Sequence, residues 1–386
     1  MTELPRVTYS NIHTDFSPLH DWLDREIPLF QARVLGQNRP NRIAGRADED
    51  GAAYEALSPI DRDIRLGRFV AASPAAVARA VAAAQAAYGA WARTSWRERA
   101  AAFRRLAEAL ARRKHDLGMA LLIEVGKSRL ESIGEAEETV DMVLYYCEEM
   151  ERNEGFARPM KRAFANEETA DVLRPQGVFA VIAPFNFPLA LSVNMLTGAI
   201  LTGNTAVYKP SPMAGLSGAL LMDAFAEAGL PDGVVNMVCG GEDAGRALIN
   251  DPRLAGVAFT GSHRVGMEIF RAFAQGPFAR PVIVEMGGKN PAYVAASADF
   301  DDAAAGVMRS AFGLQGQKCS ACSKVYVARD VRDPFLEKLL ALTAKIRIGD
   351  PQQRDVYMGP VIDERALARF EHAIRAARSE GRVLVG

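Results

Sequence analysis

Apolar and polar positions change their spacing twice along this chain. Residues 1–70 hold no sustained period and read as polar loops with short strands around Ala44–Ala47 and Ile64–Phe69. Helical spacing begins at Ser73-Pro74, an N-cap followed by a proline suited to the first helical position, and runs through Ala-rich sequence to Ala92. Ser95-Trp96-Arg97-Glu98 fits a capping box, in which Ser95 and Glu98 each satisfy a backbone donor of the other. Helical spacing then continues to about Asn153, with breaks expected near His115 and Gly126. Phe156–Leu173 is more polar and predicts a connecting hairpin.

From Gly177 short apolar runs alternate with helical segments. Strands are predicted over Val178–Ile182, Thr205–Tyr208, Val234–Val238, Val257–Phe259 and Val282–Glu285. Between them fall helices over Leu189–Leu201, Gly215–Ala228, Asp243–Asn250 and Arg264–Ala274. Such alternation predicts an α/β fold with a parallel sheet and ligands at the carboxyl ends of its strands. A second α/β unit begins near Gly287 and contains Ala303–Ala311, Val325–Val327 and Pro334–Ala344. Leu384-Val385-Gly386 reads as the middle of a strand, so this second unit is expected to be incomplete.

The chain has 386 residues, long enough for two or three domains. With 46 basic and 47 acidic residues it carries a net charge of −1, which leaves no electrostatic footprint for nucleic acid. Met1-Thr2-Glu3-Leu4-Pro5-Arg6 lacks the basic and then apolar regions of a signal peptide. The uncharged run Gly177–Thr205 is long enough to span a bilayer. Pro184, Asn186, Pro188, Asn194 and Asn204 interrupt it, however, so a strand, a polar loop and a buried helix are expected, with no membrane partner. Four cysteines, Cys147, Cys239, Cys319 and Cys322, give no disulfide framework and point to a reducing cytoplasm. His13, His20, His115, His263 and His372 make no ligand spacing with one another or with a cysteine, so no metal is expected.

Candidate chemistry centres on Gly316-Gln317-Lys318-Cys319-Ser320-Ala321-Cys322. The Cys-x-x-Cys spacing admits a zinc or redox reading, but no second Cys/His pair exists. Two small buried core residues are another reading. Glycine, lysine and small neighbours favour instead an accessible nucleophilic thiol at Cys319, which needs a base or a cation nearby. Glu285 ends an apolar strand just before Gly287-Gly288 and is expected to point into a cleft as a general base; the competing reading is a surface carboxylate opening a turn. In Pro184-Phe185-Asn186-Phe187-Pro188, Asn186 could aim its amide at a developing oxyanion, or simply form a turn. Lys209-Pro210-Ser211 and Phe259-Thr260-Gly261-Ser262 each end a strand. The second opens a helix whose N-terminus would attract a phosphate, although no G-x-G-x-x-G fingerprint is present.

In this order and spacing, Pro184–Pro188, Lys209–Ser211, Phe259–Ser262, Glu285–Pro291 and Gly316–Cys319 resemble the aldehyde dehydrogenase superfamily, over roughly residues 40–386. The resemblance implies an atypical Rossmann cofactor domain, a second, incomplete α/β catalytic domain and a β-flap for oligomerisation. On that basis residues 1–155 are the irregular and helical part of the cofactor domain and 156–175 belong to the flap. Residues 176–286 are then the dinucleotide-binding core and 287–386 the catalytic domain. Cys319 would attack an aldehyde, with the oxyanion held by Asn186 and the Cys319 N–H. Hydride would pass to the nicotinamide, and Glu285 would activate water to hydrolyse the thioester. Lys209 and Ser262 resemble the family's adenosine-ribose and pyrophosphate contacts, with Pro184, Phe185, Ser211 and Gly261 beside them.

Arg309-Ser310-Ala311-Phe312, Gly316–Cys322, Pro184–Phe187 and Ile348-Gly349-Asp350-Pro351 look like the glutamate-γ-semialdehyde (1-pyrroline-5-carboxylate) dehydrogenases. That group implies that Ser320 binds a substrate carboxylate and that Phe187 packs along its carbon chain. The chain departs from the family at Pro212, where many relatives carry a ribose-gripping Glu, so NADP stands beside NAD as a cofactor. It also lacks the family's later Glu-x-Phe-Gly-Pro signature and its substrate-anchoring loop. The resemblance therefore implies a C-terminally truncated homo-oligomeric enzyme. Transfer of the thioester to coenzyme A and a catalytically silent binding fold are the rival readings.

Overall fold

Caps and turns decide where the first elements lie. The computed structural model describes residues 4–8, 10–11, 14–276 and 278–385. Met1-Thr2-Glu3, His13 and Gly386 lie outside the described residues. Helix α1 (Ser17–Val34) is followed by strands β1 (Asn38–Arg39), β2 (Asn41–Ile43), β3 (Arg46–Asp48), β4 (Gly51–Leu57) and β5 (Arg65–Ala72). Helices α2 (Pro74–Arg93), α3 (Trp96–Val125) and α4 (Arg129–Arg152) come next. Ser73 Oγ accepts from the Ala76 N–H at the start of α2, and the Ser95–Glu98 capping box opens α3. Gly126 ends α3 in a left-handed conformation at φ 76°, where a glycine carries little strain.

Strands β6 (Ala157–Pro159) and β7 (Ala170–Val172) pair as an exposed antiparallel hairpin. The alternating part contains β8 (Val178–Ile182), α5 (Ala190–Leu201), β9 (Thr205–Lys209), α6 (Gly215–Glu227) and β10 (Val235–Met237). It continues through α7 (Glu242–Ile249), β11 (Leu254–Thr260), α8 (His263–Ala274) and β12 (Val282–Glu285). Strands β13 (Asn290–Val294) and β14 (Cys322–Val327) flank α9 (Phe300–Phe312). Helices α10 (Arg332–Thr343) and α11 (Glu364–Glu380) complete the described elements.

The main sheet has the order β12-β11-β8-β9-β10-β2-β3. Its first five strands are parallel, and β2 and β3 add an antiparallel hairpin at the far edge. Every residue of β8 and β9 is buried, as expected where helices cover both faces of a parallel sheet. One core packs α1, α3, α4, α5 and α6, and a second packs α2, α7 and α8. A small third core lies between the parallel pair β13–β14 and helices α9 and α10.

Four sequence expectations need correction. Residues 17–34 form a helix rather than loop, because Leu19, Leu23, Ile27, Phe30 and Val34 recur at helical spacing and are buried. Ala44 and Gly45 have positive φ and form the turn between β2 and β3, so the strand expected around Ala44–Ala47 begins only at Arg46. His115 does not break α3; it lies inside the helix with its ring 4.7 Å from that of Trp22. Leu384 and Val385 are exposed, have no strand partner and adopt no strand. Gly177–Thr205 is a five-residue strand and a twelve-residue helix, and among the described residues no helix is long and apolar enough to cross a membrane.

Candidate active site

The parallel strands deliver their carboxyl ends to one side of the sheet, where a cleft of about 770 Å³ opens. Residues Ile182–Asn186 leave β8 along its wall, and Lys209, Ser211 and Pro212 leave β9. Thr260, Gly261 and Ser262 join β11 to α8, and Met286-Gly287-Gly288 follow β12. Gln315–Cys319 line the cleft as well, together with Arg365, Ala366, Arg369 and Phe370, the last four from α11.

Cys319 is exposed on this cleft, whereas Cys147 and Cys239 are buried. Loss of hydration pushes those two thiols up to about 11 and about 12, which keeps them un-ionised at neutral pH. The loop before Cys319 is unusual. Leu314, Gln315 and Gly316 have φ of 46°, 56° and 69°, a left-handed run that non-glycine residues adopt only when their surroundings enforce it. Five hydrogen bonds brace the loop. Glu131 accepts from the Leu314 N–H at 2.9 Å, and the Gln317 side-chain oxygen accepts from the Ile362 N–H at 3.1 Å. Asn186 Nδ2 donates to the Gln317 carbonyl at 2.8 Å, and Asn290 Nδ2 donates to the carbonyls of Cys319 and Ala321 at 2.7 and 3.2 Å. A side chain at position 288 would place its Cβ 3.0 Å from the Cys319 carbonyl, so Gly288 lets the two loops meet.

Lys209 is buried, and its Nζ donates to the carbonyls of Pro210 and Gly240 at 3.0 and 2.9 Å. Burial lowers its pKa to about 8. Ser262 caps α8 by accepting from the Val265 N–H, and its own O–H stays available to donate. Gly261 is needed for packing as well, since a Cβ there would sit 2.6 Å from the Phe259 ring.

The predicted residues are not all in one cavity. Pro184, Phe185, Asn186, Lys209, Ser211, Gly261, Ser262 and Cys319 share the main cleft. Phe187 lines an adjoining cavity of about 140 Å³ with Lys127, Glu131 and Glu135, and Ser320 opens onto one of about 650 Å³ with Arg129, Arg354 and Tyr357. Lys318 borders all three. Glu285 departs from expectation: it is exposed and does not line the cleft. The reason is its place on the edge strand β12, where it shares a face with Ile283, itself 54% exposed. Lys127, Glu131, Glu135 and the α11 residues were not anticipated. For Glu131 and Glu135 the available signal was charge on a largely apolar helical segment, α4, whereas Lys127 lies in the turn between α3 and α4 and carried no such signal.

The fold and this arrangement define a family, and the chain belongs to it: residues 46–386 match the aldehyde dehydrogenase family. The chain is 36% identical over 363 residues to 1-pyrroline-5-carboxylate dehydrogenase 1 of Halalkalibacterium halodurans, covering 92% of this chain and 69% of that one. The structure of 1-pyrroline-5-carboxylate dehydrogenase from Thermus with bound NAD superposes with a TM-score of 0.92 at 30% identity, over 100% of this chain and 75% of that one. Proline utilization A from Bdellovibrio bacteriovorus superposes with a TM-score of 0.89 at 33% identity; the match covers 95% of this chain but only 38% of that protein's length.

Proposed function

We propose that this chain performs NAD(P)-dependent oxidation of an aldehyde to a carboxylic acid, with L-glutamate γ-semialdehyde, formed in proline catabolism, as substrate. The observation carrying this reading is an exposed thiol, Cys319, on the same cleft as the strand-end residues Lys209, Ser211, Gly261 and Ser262. Those residues fit a dinucleotide: α8 aims its N-terminal N–H groups at the cleft, and Ile249, Val265 and Ile269 supply apolar wall. NAD is the cofactor proposed, on the likeness to the NAD-bound Thermus structure. When bound, it supplies the hydride acceptor that takes a thiohemiacetal on Cys319 to the thioester.

Cys319 gives its proton to solvent, its Sγ attacks the aldehyde carbon as the thiolate, and the carbonyl electron pair moves onto oxygen. Asn186 Nδ2 has one N–H on the Gln317 carbonyl and a second free for that oxyanion, beside the Cys319 N–H. Glu285 is the proposed base for hydrolysis of the thioester. It has to act from the exposed end of β12, so the side of the site beyond that strand must close for it to direct water. Ser320 and Phe187 are proposed to meet the carboxylate and the carbon chain of the substrate, from the two cavities that Lys318 joins.

The division into segments 1–155, 156–175, 176–286 and 287–386 stands as a proposal. So does homo-oligomerisation through the exposed β6–β7 hairpin, which sedimentation of the purified chain tests. A cytoplasmic location agrees with four free thiols. The decisive assay is NADH formation from glutamate semialdehyde and NAD by this chain, beside Cys319→Ala. Turnover that disappears in the variant is expected. Turnover unchanged in the variant, or absent from the parent, overturns the reading.

A further inference from the structure

We propose that the buried Lys127–Glu135 ion pair is a positioning device that holds the Asn186–Phe187 turn against the Cys319 loop. The inference rests on the reading of Asn186 and Phe187 as site residues. The two side chains are 1% and 0% exposed, and Lys127 Nζ donates directly to Glu135 Oε2. Their isolation matters, because a buried ion pair commonly adds less stability than apolar residues of the same volume. A reason for having charges here lies in what else they touch.

Glu135 Oε1 accepts from the N–H groups of Leu189 and Ala190 at 2.9 and 3.1 Å. These are first-turn donors of α5, which has no side-chain cap of its own. A carboxylate from α4 thus supplies both the missing cap and the negative charge that the helix N-terminus favours. Lys127 Nζ also stands 3.7 Å from the centre of the Phe187 ring, a cation–π contact away from solvent. The pair therefore holds the turn at two places, the ring of Phe187 and the start of α5. Between them and the nucleophile the contacts are unbroken: the Phe187 N–H donates to Asn186 Oδ1 at 3.1 Å, which orients the amide whose Nδ2 donates to the Gln317 carbonyl. Lys127 and Glu135 are positioning residues, since each acts through Phe187, α5 and Asn186.

The test uses the whole chain with Lys127→Met, Glu135→Gln and the conservative Lys127→Arg, each checked for folding by melting. Two readouts are taken: amide hydrogen exchange at Leu189 and Ala190, and steady-state kinetics with glutamate semialdehyde. In Glu135→Gln, exchange at these two amides is expected to quicken at least about tenfold while α3 stays protected. In Lys127→Met, KM for the semialdehyde is expected to rise at least about tenfold, with KM for NAD within about twofold of the parent. Lys127→Arg is expected to recover most of this loss. Folded variants that keep both exchange and semialdehyde KM within about twofold of the parent overturn the proposal. If the parent shows no turnover, exchange alone decides: faster exchange in Glu135→Gln sustains the positioning role while the proposed function fails, and unchanged exchange sinks the positioning role too.

Discussion

The main sheet and the small β13–β14 sheet are built differently. In the main sheet β8 and β9 are buried along their whole length, between α5 and α6 on one side and α2 and α7 on the other. In the β13–β14 pair only one face is covered, by α9 and α10; Tyr293 and Tyr326 stack on the open face, 76% and 51% exposed. The contrast teaches that the main sheet is held by burial, whereas the loop that carries Cys319 is held by discrete hydrogen bonds with Glu131, Asn186 and Asn290.

The largest expected effect tests the buried side. Tyr208→Ala removes a fully buried ring whose hydroxyl pairs with Ser192 and should destabilise the chain by about 3–5 kcal/mol in denaturant unfolding. Next is pH. Glu124 is buried, accepts from the N–H groups of Leu216 and Ser217, and is raised to about 7, chiefly by loss of hydration. Its folded form binds a proton more tightly than its unfolded form, so its contribution is fully present below pH 4.5 and is lost as pH rises through about 7. Glu124→Gln should remove a pH-dependent stability change on the order of 3 kcal/mol, read as the difference in unfolding free energy between the two ends of that window. Lys209 has the opposite slope: its depressed pKa makes stability fall as pH drops from 10.5 through about 8, and Lys209→Met should flatten that range.

The Cys319 loop should respond in activity rather than stability. Asn290→Ala frees the Cys319 and Ala321 carbonyls and should lower kcat/KM by about tenfold with little change in melting temperature. The smallest effect sharpens the contrast. Tyr293→Ala should cost less than about 1 kcal/mol, because its ring stacks only on another exposed ring. A loss as large as that of Tyr208→Ala would show that the open face is covered in solution.

Local chemistry made much of this legible. The strands and helices from Val178 to Glu285 lie within a few residues of their expected bounds, because each apolar run there ends at a cap, glycine or proline. The Ser95–Glu98 box and the Gly126 stop were readable for the same reason. Helix α1 was not read, since Pro18 and Pro28 mask a helical period that becomes decisive only once Leu19, Leu23 and Phe30 are buried. The cleft residues were found by type and order, but their distribution over three cavities was not. Phe187 and Ser320 are adjacent in sequence to cleft residues yet face other spaces, because a turn and a loop rotate successive side chains apart.

What the sequence by itself determined is the set of reactive groups and the order of elements carrying them, since capping, turn formation and apolar period act over a few residues. Tertiary structure alone decided which groups share a space. It joined Glu131 of α4 to the loop before Cys319 and brought Lys127 and Glu135 under Phe187. It also left Glu285 on an exposed edge. Those outcomes depend on how helices and sheets far apart in the chain exclude water from one another, and no local pattern encodes that.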